Sequence, residues 1–433
     1  MTQIKFEVGS RKFEVQSEPR TQHSALLLGY GQVNQAVAAC LERERDRLRA
    51  FGCEVAPTRA LVRDLTKRRG GPYVTLSNDA HHVIDTPVDI VIEALGGIEP
   101  ARSLVTAALE AGIPVVSANK TLVAAHGREL RRLAAAHGTR FACDAAVLAG
   151  VPFLGSLERR PLVSAATRIE AILNGTTHFV MSAIARGSTY EAALADATAR
   201  GYAEPDSRAD ISGRDAAEKL TVLLHLAGCD VAAEDLPRLG IDAIEPDDLA
   251  AARRAGGTIK PVALASLEDG RSGAWVGPAF VAEEHPLARL VGVTNALRIK
   301  SANTRCTFSG PGAGPAVTAA TIVDDVVEIL TSGPRWPGAR TTIHASRRVP
   351  LGQPPPGRWF LRVAGADRLT SHDVAEFLAV RRAPAVRLDD RGDRFTCVTA
   401  AATWSTINDV VTAVRAGGAR AIAIPVIEGG DDD

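Results

Sequence analysis

The sequence predicts an α/β fold: a doubly wound parallel sheet, then an α+β unit, then a small ferredoxin-like domain. Short apolar runs alternate with amphipathic helices over residues 24–145, and β-rich segments separated by long alanine-rich helices follow Gly150. Residues 357–428 show the order β-α-β-β-α-β. A chain of 433 residues exceeds the size at which one hydrophobic core keeps growing, so several domains are expected.

The first strand, turn and helix lie within residues 24–50. An apolar run from Ser24 to Leu28 ends in Gly29-Tyr30-Gly31, and an amphipathic stretch starts at Val33. Further buried strands are predicted at Ala60 to Val62, Val88 to Leu95, Ile113 to Ser117 and Arg140 to Cys143. Helices are predicted at Ala101 to Ala111 and Leu122 to His137. This alternation favours a Rossmann-type sheet.

Bulk composition excludes several classes of protein. Fifty Lys and Arg balance fifty Asp and Glu, so neither nucleic acid nor a membrane surface is an expected partner. No apolar run approaches the ~20 residues of a membrane helix. Six widely spaced cysteines favour a reducing compartment. We therefore expect a soluble, cytoplasmic protein whose partner is a small-molecule substrate.

A dinucleotide site is expected where the first strand meets its helix. The Gly29-x-Gly31 turn, followed by Gln32 and Val33, presents backbone N–H groups and the positive end of the helix dipole to a pyrophosphate. Asn34 replaces the usual third glycine, and a bare G-x-G is common in turns. The dinucleotide interpretation is favoured because these glycines follow a strand and open a helix.

Charged residues after the second strand indicate which nicotinamide cofactor is used. Asp64 could accept a hydrogen bond from a ribose 2′-hydroxyl, whereas Arg63, Lys67 and Arg68 could neutralise a 2′-phosphate. Three cations against one carboxylate favour NADP, with NAD as the alternative. A solvated charged loop explains any one of the three cations equally well.

A second group of polar residues precedes and opens a predicted helix. Asp215 and Lys219 are four residues apart and share a helix face, a spacing that usually marks a surface ion pair. Here the acids are dense: Glu204, Asp206, Asp210, Asp215 and Glu218. A lysine held near a carboxylate in a partly dry cleft can donate the proton that carbonyl reduction needs. The remaining carboxylates could hold a substrate ammonium group.

Two further segments lie where ligands bind in open α/β sheets. Asn119 and Lys120 follow the carboxyl end of a predicted strand. Residues 174–177, Asn-Gly-Thr-Thr, follow another strand and are either a helix cap or a substrate clamp. His178 beside them is expected to be structural.

In order along residues 24–331, these motifs resemble those of the homoserine dehydrogenase family. The matching segments are Ala60–Asp64, Glu93–Pro100, Ser117–Lys120, Ala145–Val147, Ala149–Pro152, Ile172–Thr177, Gly201–Asp206, Gly213–Lys219 and Gly310–Gly314. The resemblance implies NAD(P)H-dependent reduction of L-aspartate 4-semialdehyde to L-homoserine, in a homodimer or homotetramer. The expected division is an N-terminal extension (1–23), a dinucleotide-binding domain (24–145), a substrate and dimerisation domain (146–310), a returning helix (311–331), a linker (332–356) and the ferredoxin-like domain (357–428).

The resemblance also implies roles for individual residues. Lys219 is the expected proton donor, with Asp215 beside it, and Lys120 lies near both cofactor and substrate. Substrate contacts are expected at Glu204, Asp210, Asp215, Tyr202, Gly175 and Thr176. Cofactor contacts extend to Gly96, Lys120 and Gly314.

The family binds a monovalent cation, usually Na⁺, through one carboxylate and several backbone carbonyls. The matching positions are Asp144, Val147, Ala149 and Val151. Asp144 stands where the family has Glu, so direct contact at about 2.4 Å needs a closer backbone or a bridging water. The other departures are Asn34, His178, Pro315 and Val317.

Longer family members carry a C-terminal ACT domain that can mediate feedback inhibition by threonine. Residues 357–428 fit its plan, but residues 367–370, Asp-Arg-Leu-Thr, lack the usual Pro-Gly after Asp-Arg. We expect a degenerate ACT-like domain that either binds an amino-acid effector or only packs or dimerises. The alternatives for the whole chain are a paralogue acting on a related amino-acid aldehyde or keto acid, and a catalytically silent amino-acid sensor.

Overall fold

The computed structural model describes residues 7–8, 11–12, 22–80, 87–151, 153–158, 165–204, 206–332, 349–365, 370–392 and 394–429. Most of the N-terminal extension, residues 333–348 of the expected linker and the Asp-Arg-Leu at 367–369 lie outside these ranges. Within them, two large sheets organise the chain. No helix in the described ranges is long and apolar enough to cross a membrane.

The first half of the chain builds a parallel sheet. It is preceded by an antiparallel pair, β1 (Glu7–Val8) and β2 (Arg11–Lys12). Its elements are β3 (Gln22–Leu28), α1 (Gln32–Arg43), α2 (Arg45–Ala50), β4 (Glu54–Leu61), β5 (Thr75–Ser77), β6 (Ile90–Glu93), α3 (Ala101–Glu110), β7 (Val115–Ser117), α4 (Lys120–Ala136) and β8 (Phe141–Ala142).

The strand order of this sheet is β5-β4-β3-β6-β7-β8, with every pair parallel. Strands are added on one side of β3 up to β5 and on its other side from β6 onward, so the switch point lies between β3 and β6. Ligands of such sheets bind at that switch point, beyond the carboxyl ends of the strands. The predicted doubly wound sheet is therefore confirmed. Its first strand begins at Gln22 and not at Ser24 as predicted.

The middle of the chain contributes five strands of a second, mixed sheet. Its elements are α5 (Leu154–Glu158), β9 (Ala166–Ile172), α6 (Gly175–Ile184), α7 (Tyr190–Ala199), α8 (Arg208–Ile211), α9 (Arg214–Leu226), α10 (Pro246–Arg254), β10 (Gly257–Ser266), β11 (Gly273–Ala282), β12 (Thr294–Ser301), β13 (Arg305–Pro311) and α11 (Pro315–Thr331). Short 3₁₀ turns lie at Asp144–Ala146, Ala233–Asp235, Ile241–Ala243 and Pro286–Arg289. Helix α11 returns to the first sheet, where Ile322 and Val326 share one buried core with Val37 of α1.

The tail has the predicted β-α-β-β-α-β order. Its elements are β14 (Trp359–Ala364), α12 (Ser371–Val380), β15 (Ala385–Asp390), β16 (Arg394–Thr399), α13 (Trp404–Ala416) and β17 (Arg420–Ile427). Strand β17 pairs with β14 and also, in parallel, with β11. The result is one nine-stranded sheet, β13-β12-β9-β10-β11-β17-β14-β16-β15. The tail therefore continues the sheet of the substrate unit while it keeps a buried core of its own around Trp359.

Three distant segments cover the outer edge of β11. Ala274 N donates to Gln353 O at 2.9 Å, and Val276 exchanges backbone hydrogen bonds of 3.0 Å with residues 237 and 239. The end of the strand pairs with β17. Residues 349–356, predicted as part of a linker, are thus packed along the sheet, with Leu351 buried.

Charged contacts fix the tail sheet to α10. Arg362 of β14 is buried, and its guanidinium contacts Asp248 at 2.8 Å and Glu245 at 2.9 Å. Arg394 of β16 also contacts Glu245. Because Asp248 is fully buried, its charge depends on these arginines.

Candidate active site

The turn between β3 and α1 has the shape that a pyrophosphate site needs. Gly29 has a φ of +87°, and a Cβ there would lie 3.0 Å from the carbonyl oxygen of Ala94. Gly31 is the N-cap of α1, and Gln32 and Val33 open the helix. The first turn of α1 therefore faces the switch point with its N–H groups.

Asn34 takes over the packing role of the missing glycine. Its side chain is fully buried, and Nδ2 donates to the carbonyl oxygens of Gly29 at 2.7 Å and Leu28 at 3.2 Å. These bonds tie α1 to the end of β3. Asn34 therefore joins the helix to the strand where a third glycine would allow close packing.

The charged segment after β4 lies on the surface. Arg63, Lys67 and Arg68 are exposed. Asp64 accepts hydrogen bonds from the hydroxyl of Thr66 at 2.6 Å and from its backbone N–H at 2.8 Å, and these bonds lower the pKa of Asp64. Asp64 therefore orders its own turn, through Thr66 and through the backbone of Lys67.

A buried carboxylate organises the ends of β6 and β7. Glu93 accepts from the hydroxyl of Ser117 at 2.5 Å and from Nδ2 of Asn119 at 3.2 Å, and burial raises the pKa of Glu93. Asn119 also donates to Gly97 O at 2.7 Å and caps α4 by accepting from Leu122 N. This network fixes the start of α4 against the ends of β6 and β7.

Asp215 lies between the two predicted catalytic lysines. Its side chain is only 3% exposed, and its oxygens lie 2.5 Å from Nζ of Lys120 and 2.9 Å from Nζ of Lys219. Lys219 also donates to Leu173 O at 2.8 Å. A surface ion pair is therefore the wrong interpretation of Asp215 and Lys219, and the structure brings the three residues together.

Both carboxylate and lysine are held charged here. Burial alone would raise the pKa of Asp215, but Lys219 and Lys120 outweigh it and hold that pKa well below the usual range. Burial likewise acts to lower the pKa of Lys120, but Asp215 and, more weakly, Glu218 and Asp210 together outweigh it, so the pKa of Lys120 is raised. The Lys120–Asp215 contact is a charge-assisted hydrogen bond.

Asn174 links this centre to a second carboxylate. Its Nδ2 donates to Asp215 at 2.8 Å and to Asp210 at 2.7 Å, while Oδ1 accepts from Thr177 N at 2.8 Å and caps α6. The cap interpretation of this segment is confirmed. Burial raises the pKa of Asp210.

The other predicted substrate residues surround this group. The hydroxyl of Thr176 donates to the carbonyl of Tyr202 at 2.6 Å, and the Tyr202 ring packs on Phe179 with centroids 5.1 Å apart. A Cβ at Gly175 would lie 3.1 Å from a neighbouring backbone oxygen, so the helix start fits closely. Glu204 is exposed.

Two of the five acids seen in the sequence have other surroundings. Asp206 forms a surface ion pair with Arg208 at 2.6 Å and does not join the cluster. Glu218 is buried and accepts from the hydroxyl of Thr121 at 3.1 Å. The density of acids in the sequence therefore predicted a larger cluster than the structure contains, because Asp206 lies outside it.

His178 is structural, as predicted, and it has partners that sequence did not show. The ring is fully buried, with Nδ1 2.9 Å from Thr294 O and Nε2 3.2 Å from Leu290 O. Burial lowers the pKa of His178 to about 4. The neutral imidazole carries a single N–H and therefore donates to one of these two carbonyl oxygens.

The predicted cation residues and the remaining cofactor glycines lie in tight turns. Asp144 is buried and accepts from Gly155 N at 3.1 Å, and Ala149 O accepts from the hydroxyl of Thr321 at 2.5 Å. Val147 and Val151 are buried in the same segment. Gly96 follows β6 with a φ of +78°, and Gly314, the N-cap of α11, has a φ of +127°.

Comparison with known proteins bears on what this cleft does. Residues 29–144 match the family model "Homoserine dehydrogenase, NAD binding domain", and residues 152–327 match the model "Homoserine dehydrogenase". The chain is 35% identical over 311 residues to homoserine dehydrogenase of Bacillus subtilis, covering 70% of this chain and 72% of that one. The chain belongs to the homoserine dehydrogenase family. It is also 38% identical over 329 residues to the Corynebacterium glutamicum enzyme, covering 73% and 74%.

Solved structures of homoserine dehydrogenases agree with this membership. The enzyme from Thiobacillus denitrificans superposes with a TM-score of 0.86 at 29% identity, over 94% of this chain and 99% of that one. A hyperthermophilic archaeal homoserine dehydrogenase in complex with NADPH gives a TM-score of 0.61 at 25% identity, over 74% and 100%. As a homoserine dehydrogenase, the chain is an NAD(P)-dependent oxidoreductase that acts on a CH–OH group.

Sequence reasoning gave no individual role to four polar residues of this homoserine dehydrogenase site, although one stood in the predicted cap or clamp segment and another was counted among the dense acids. They are Glu93, Thr121, Asn174 and Glu218. Asn174 and Glu93 stood inside quoted motifs, and their polar side chains at strand ends were the available signal. The Thr121–Glu218 contact joins positions far apart in the chain, and nothing in the sequence indicated it.

Proposed function

We propose that Lys219 donates the proton when L-aspartate 4-semialdehyde is reduced to L-homoserine. The nicotinamide cofactor supplies the hydride to the aldehyde carbon, and the proton completes the alcohol on the carbonyl oxygen. The observation that carries this proposal is the Lys120–Asp215–Lys219 group, in which Asp215 fixes both ammonium groups. Within the described residues, Leu173 O and Asp215 take two of the three N–H bonds of Lys219, and the third remains for substrate.

The amino-acid part of the substrate is proposed to bind beside this group. Asp210 and Glu204 would receive its ammonium group, with Asp215 adding negative charge at the same end. Asn174 supports this proposal because it holds Asp210 against Asp215. Gly175, Thr176 and Tyr202 would form the wall, which the Thr176–Tyr202 hydrogen bond keeps in shape.

NADP is the proposed cofactor. Arg63, Lys67 and Arg68 are exposed beyond β4, where the ribose of a bound dinucleotide lies in such folds, and Asp64 is engaged by Thr66. The proposed lining of the whole cofactor site is Gly29, Gly31, Gln32, Val33, Arg63, Lys67, Arg68, Gly96, Lys120 and Gly314.

The test is absorbance at 340 nm during oxidation of L-homoserine, with NADP and with NAD. We expect Lys219→Ala to lose at least about a hundredfold in turnover while keeping cofactor affinity, because a general acid or base contributes roughly that much or more. Arg63→Ala should raise KM for NADP and leave KM for NAD unchanged. Absence of turnover by folded wild-type protein would instead favour a paralogue or an amino-acid sensor.

A monovalent cation, Na⁺, is proposed at Asp144, Val147, Ala149 and Val151. The donors fit a hard cation, since one is a carboxylate and the rest are backbone carbonyls. The oxygens of Asp144 and Ala149 also accept hydrogen bonds from within the chain. Replacing Na⁺ by tetramethylammonium should lower the rate of homoserine oxidation. An unchanged rate would contradict the proposed cation site.

The proposed nucleotide domain contains the parallel sheet, and the proposed substrate and ACT-like tail domains share the nine-stranded sheet. The protein is proposed to be a cytoplasmic homodimer or homotetramer. Strand β13 supports the proposed assembly because it is an edge strand of the nine-stranded sheet within the described residues, and such an edge can pair with another chain. The six cysteines form no disulfide within the described residues, which supports the proposal of a reducing compartment. Light scattering on a sizing column tests assembly.

Threonine should shift the rate or the melting temperature if the tail binds an amino-acid effector.

A further inference from the structure

Helices α4 and α9 face each other across the cleft between the two sheets, and two polar contacts join them. One is the contact of Lys120 with Asp215 at 2.5 Å. The other is the hydrogen bond of 3.1 Å from the hydroxyl of Thr121 to Glu218. Lys120 and Thr121 are the first two residues of α4, so both contacts act on the same helical turn.

Glu218 is placed unusually for a charged side chain. It is only 8% exposed, and besides Thr121 its recorded contact is with Arg214 at 3.4 Å, an arginine whose own side chain is 66% exposed. A buried carboxylate is costly unless hydrogen bonds or charges compensate it. The N-terminal turn of α4 supplies such compensation, through the Thr121 hydroxyl and through the helix dipole.

We propose that Glu218 is a positioning residue for Lys120. By accepting the hydrogen bond of Thr121, it fixes the first turn of α4 against α9 so that Lys120 meets Asp215. The inference rests on the proposed part of Lys120 in the reaction. Glu218 acts on Lys120 through Thr121, since within the described residues its contacts are with Thr121 and Arg214 and not with either lysine.

The charge of Glu218 also acts on Lys120. Burial acts to lower the pKa of Lys120, while Asp215, then Glu218, then Asp210 raise it. The cationic neighbours that face this group are Lys219, bound to Asp215, and Arg214, beside Glu218. Removing the charge of Glu218 therefore releases a larger fraction of Lys120 as the free amine at a given pH.

Three variants separate the hydrogen bond from the charge. Thr121→Val removes the donor and keeps the charge of Glu218. Glu218→Gln keeps an acceptor for Thr121 and removes the charge. Glu218→Ala removes both, and Glu110→Gln, at the exposed end of α3, is the matched control.

We expect Thr121→Val and Glu218→Ala to lower kcat about tenfold or more with little change in KM for homoserine, since small displacements of reacting groups are costly. Glu218→Gln should restore kcat to within about threefold of wild type. A purely structural role would change melting temperature without this pattern. Values of kcat for Thr121→Val and Glu218→Ala within about twofold of Glu110→Gln would overturn the proposal.

A second measurement does not depend on turnover. The rate at which an acylating reagent labels Lys120, followed by peptide mass spectrometry at pH 9, should rise severalfold in Glu218→Gln and stay at the wild-type rate in Glu110→Gln. Equal labelling rates in both would contradict the electrostatic part. If wild-type protein showed no turnover, the proposed reaction would fail while this labelling still tested Glu218. If Glu218→Ala failed to fold, the other two variants would decide.

Discussion

At the scale of single residues, the candidate active site is a network of charges and hydrogen bonds within the chain itself. Asp215 is held by Lys120, Lys219 and Asn174, and Asn174 is fixed in turn as the cap of α6. Groups that are already oriented need little rearrangement when charge develops on a substrate oxygen.

His178 gives a pH prediction. Its pKa falls from 6.5 to about 4 in the folded chain, so the unfolded chain takes up this proton first. The stability that His178 contributes is full above pH 6.5 and is lost as pH falls from 6.5 to about 4, by up to about 3 kcal/mol. In urea unfolding, His178→Asn should flatten the loss of stability over that pH range.

The exposed His137→Asn variant is the control for this prediction. It should keep the pH slope of wild type. Equal slopes in both variants would show that His178 does not titrate as proposed here.

Residue spacing predicted part of the active site and no more. Asp215 and Lys219 could be paired from sequence because four residues make one helical turn. Lys120 could be placed at a strand end but not against Asp215, because their contact joins two units of the fold. Asp206 shows the converse, since it lies among the acids in the sequence but pairs with Arg208 at the surface.

At the scale of elements, the turn between β3 and α1 is the clearest case of backbone geometry fixing residue type. Gly29 lies in the left-handed region and against a carbonyl oxygen, whereas Gly31 has a φ of −87° and no atom within 4 Å of a Cβ position. The first glycine is required by the fold. The second is required only by a ligand that approaches the backbone.

Alanine substitutions separate these two requirements. Gly29→Ala should lower the free energy of unfolding by about 1–3 kcal/mol, because the strain and the close contact remain whatever is bound. Gly31→Ala should keep that free energy and weaken cofactor binding instead. Urea midpoints and fluorescence titration with NADPH measure the two effects, and equal destabilisation by both variants would refute the distinction.

Elements were predicted best where alternation was regular. Most strands and helices of the parallel sheet agree with prediction to within a few residues, but β4 begins at Glu54, well before the predicted Ala60, and β5 was not predicted. Strands β10 and β11 were not placed individually, because Pro261 and Pro278 interrupt their patterns. The two prolines lie opposite each other in the register, where sequence alone gives no sign that a strand continues.

At the scale of the whole molecule, the tail is bound to the substrate unit by charge as well as by strands. Arg362→Met should cost about 3 kcal/mol at pH 7, because it leaves the fully buried Asp248 without its closest cation. Arg420→Met is the control. Arg420 is 69% exposed and lies 3.4 Å from Glu245, so its loss should cost less than about 1 kcal/mol.

Chemical unfolding followed by tryptophan fluorescence measures this difference. Trp359 and Trp404 lie in the tail, 5.2 Å apart between ring centroids, and report on its packing. Similar costs for the two arginines would mean that strand pairing alone holds the tail. The joining of the sheets escaped prediction because a parallel pair of two residues, between β11 and β17, leaves no pattern in the sequence.

The covered outer edge of β11 has a consequence for shortened forms of the chain. A version ending before residue 349 would keep the proposed catalytic residues but lose Gln353 and β17 from that edge. Nearly every residue of β11 is buried, so the bared strand would offer open backbone groups beside apolar side chains. Such an edge is a template for strand addition between molecules, and the shortened protein would tend toward fibrous aggregation before its chemistry could be assayed.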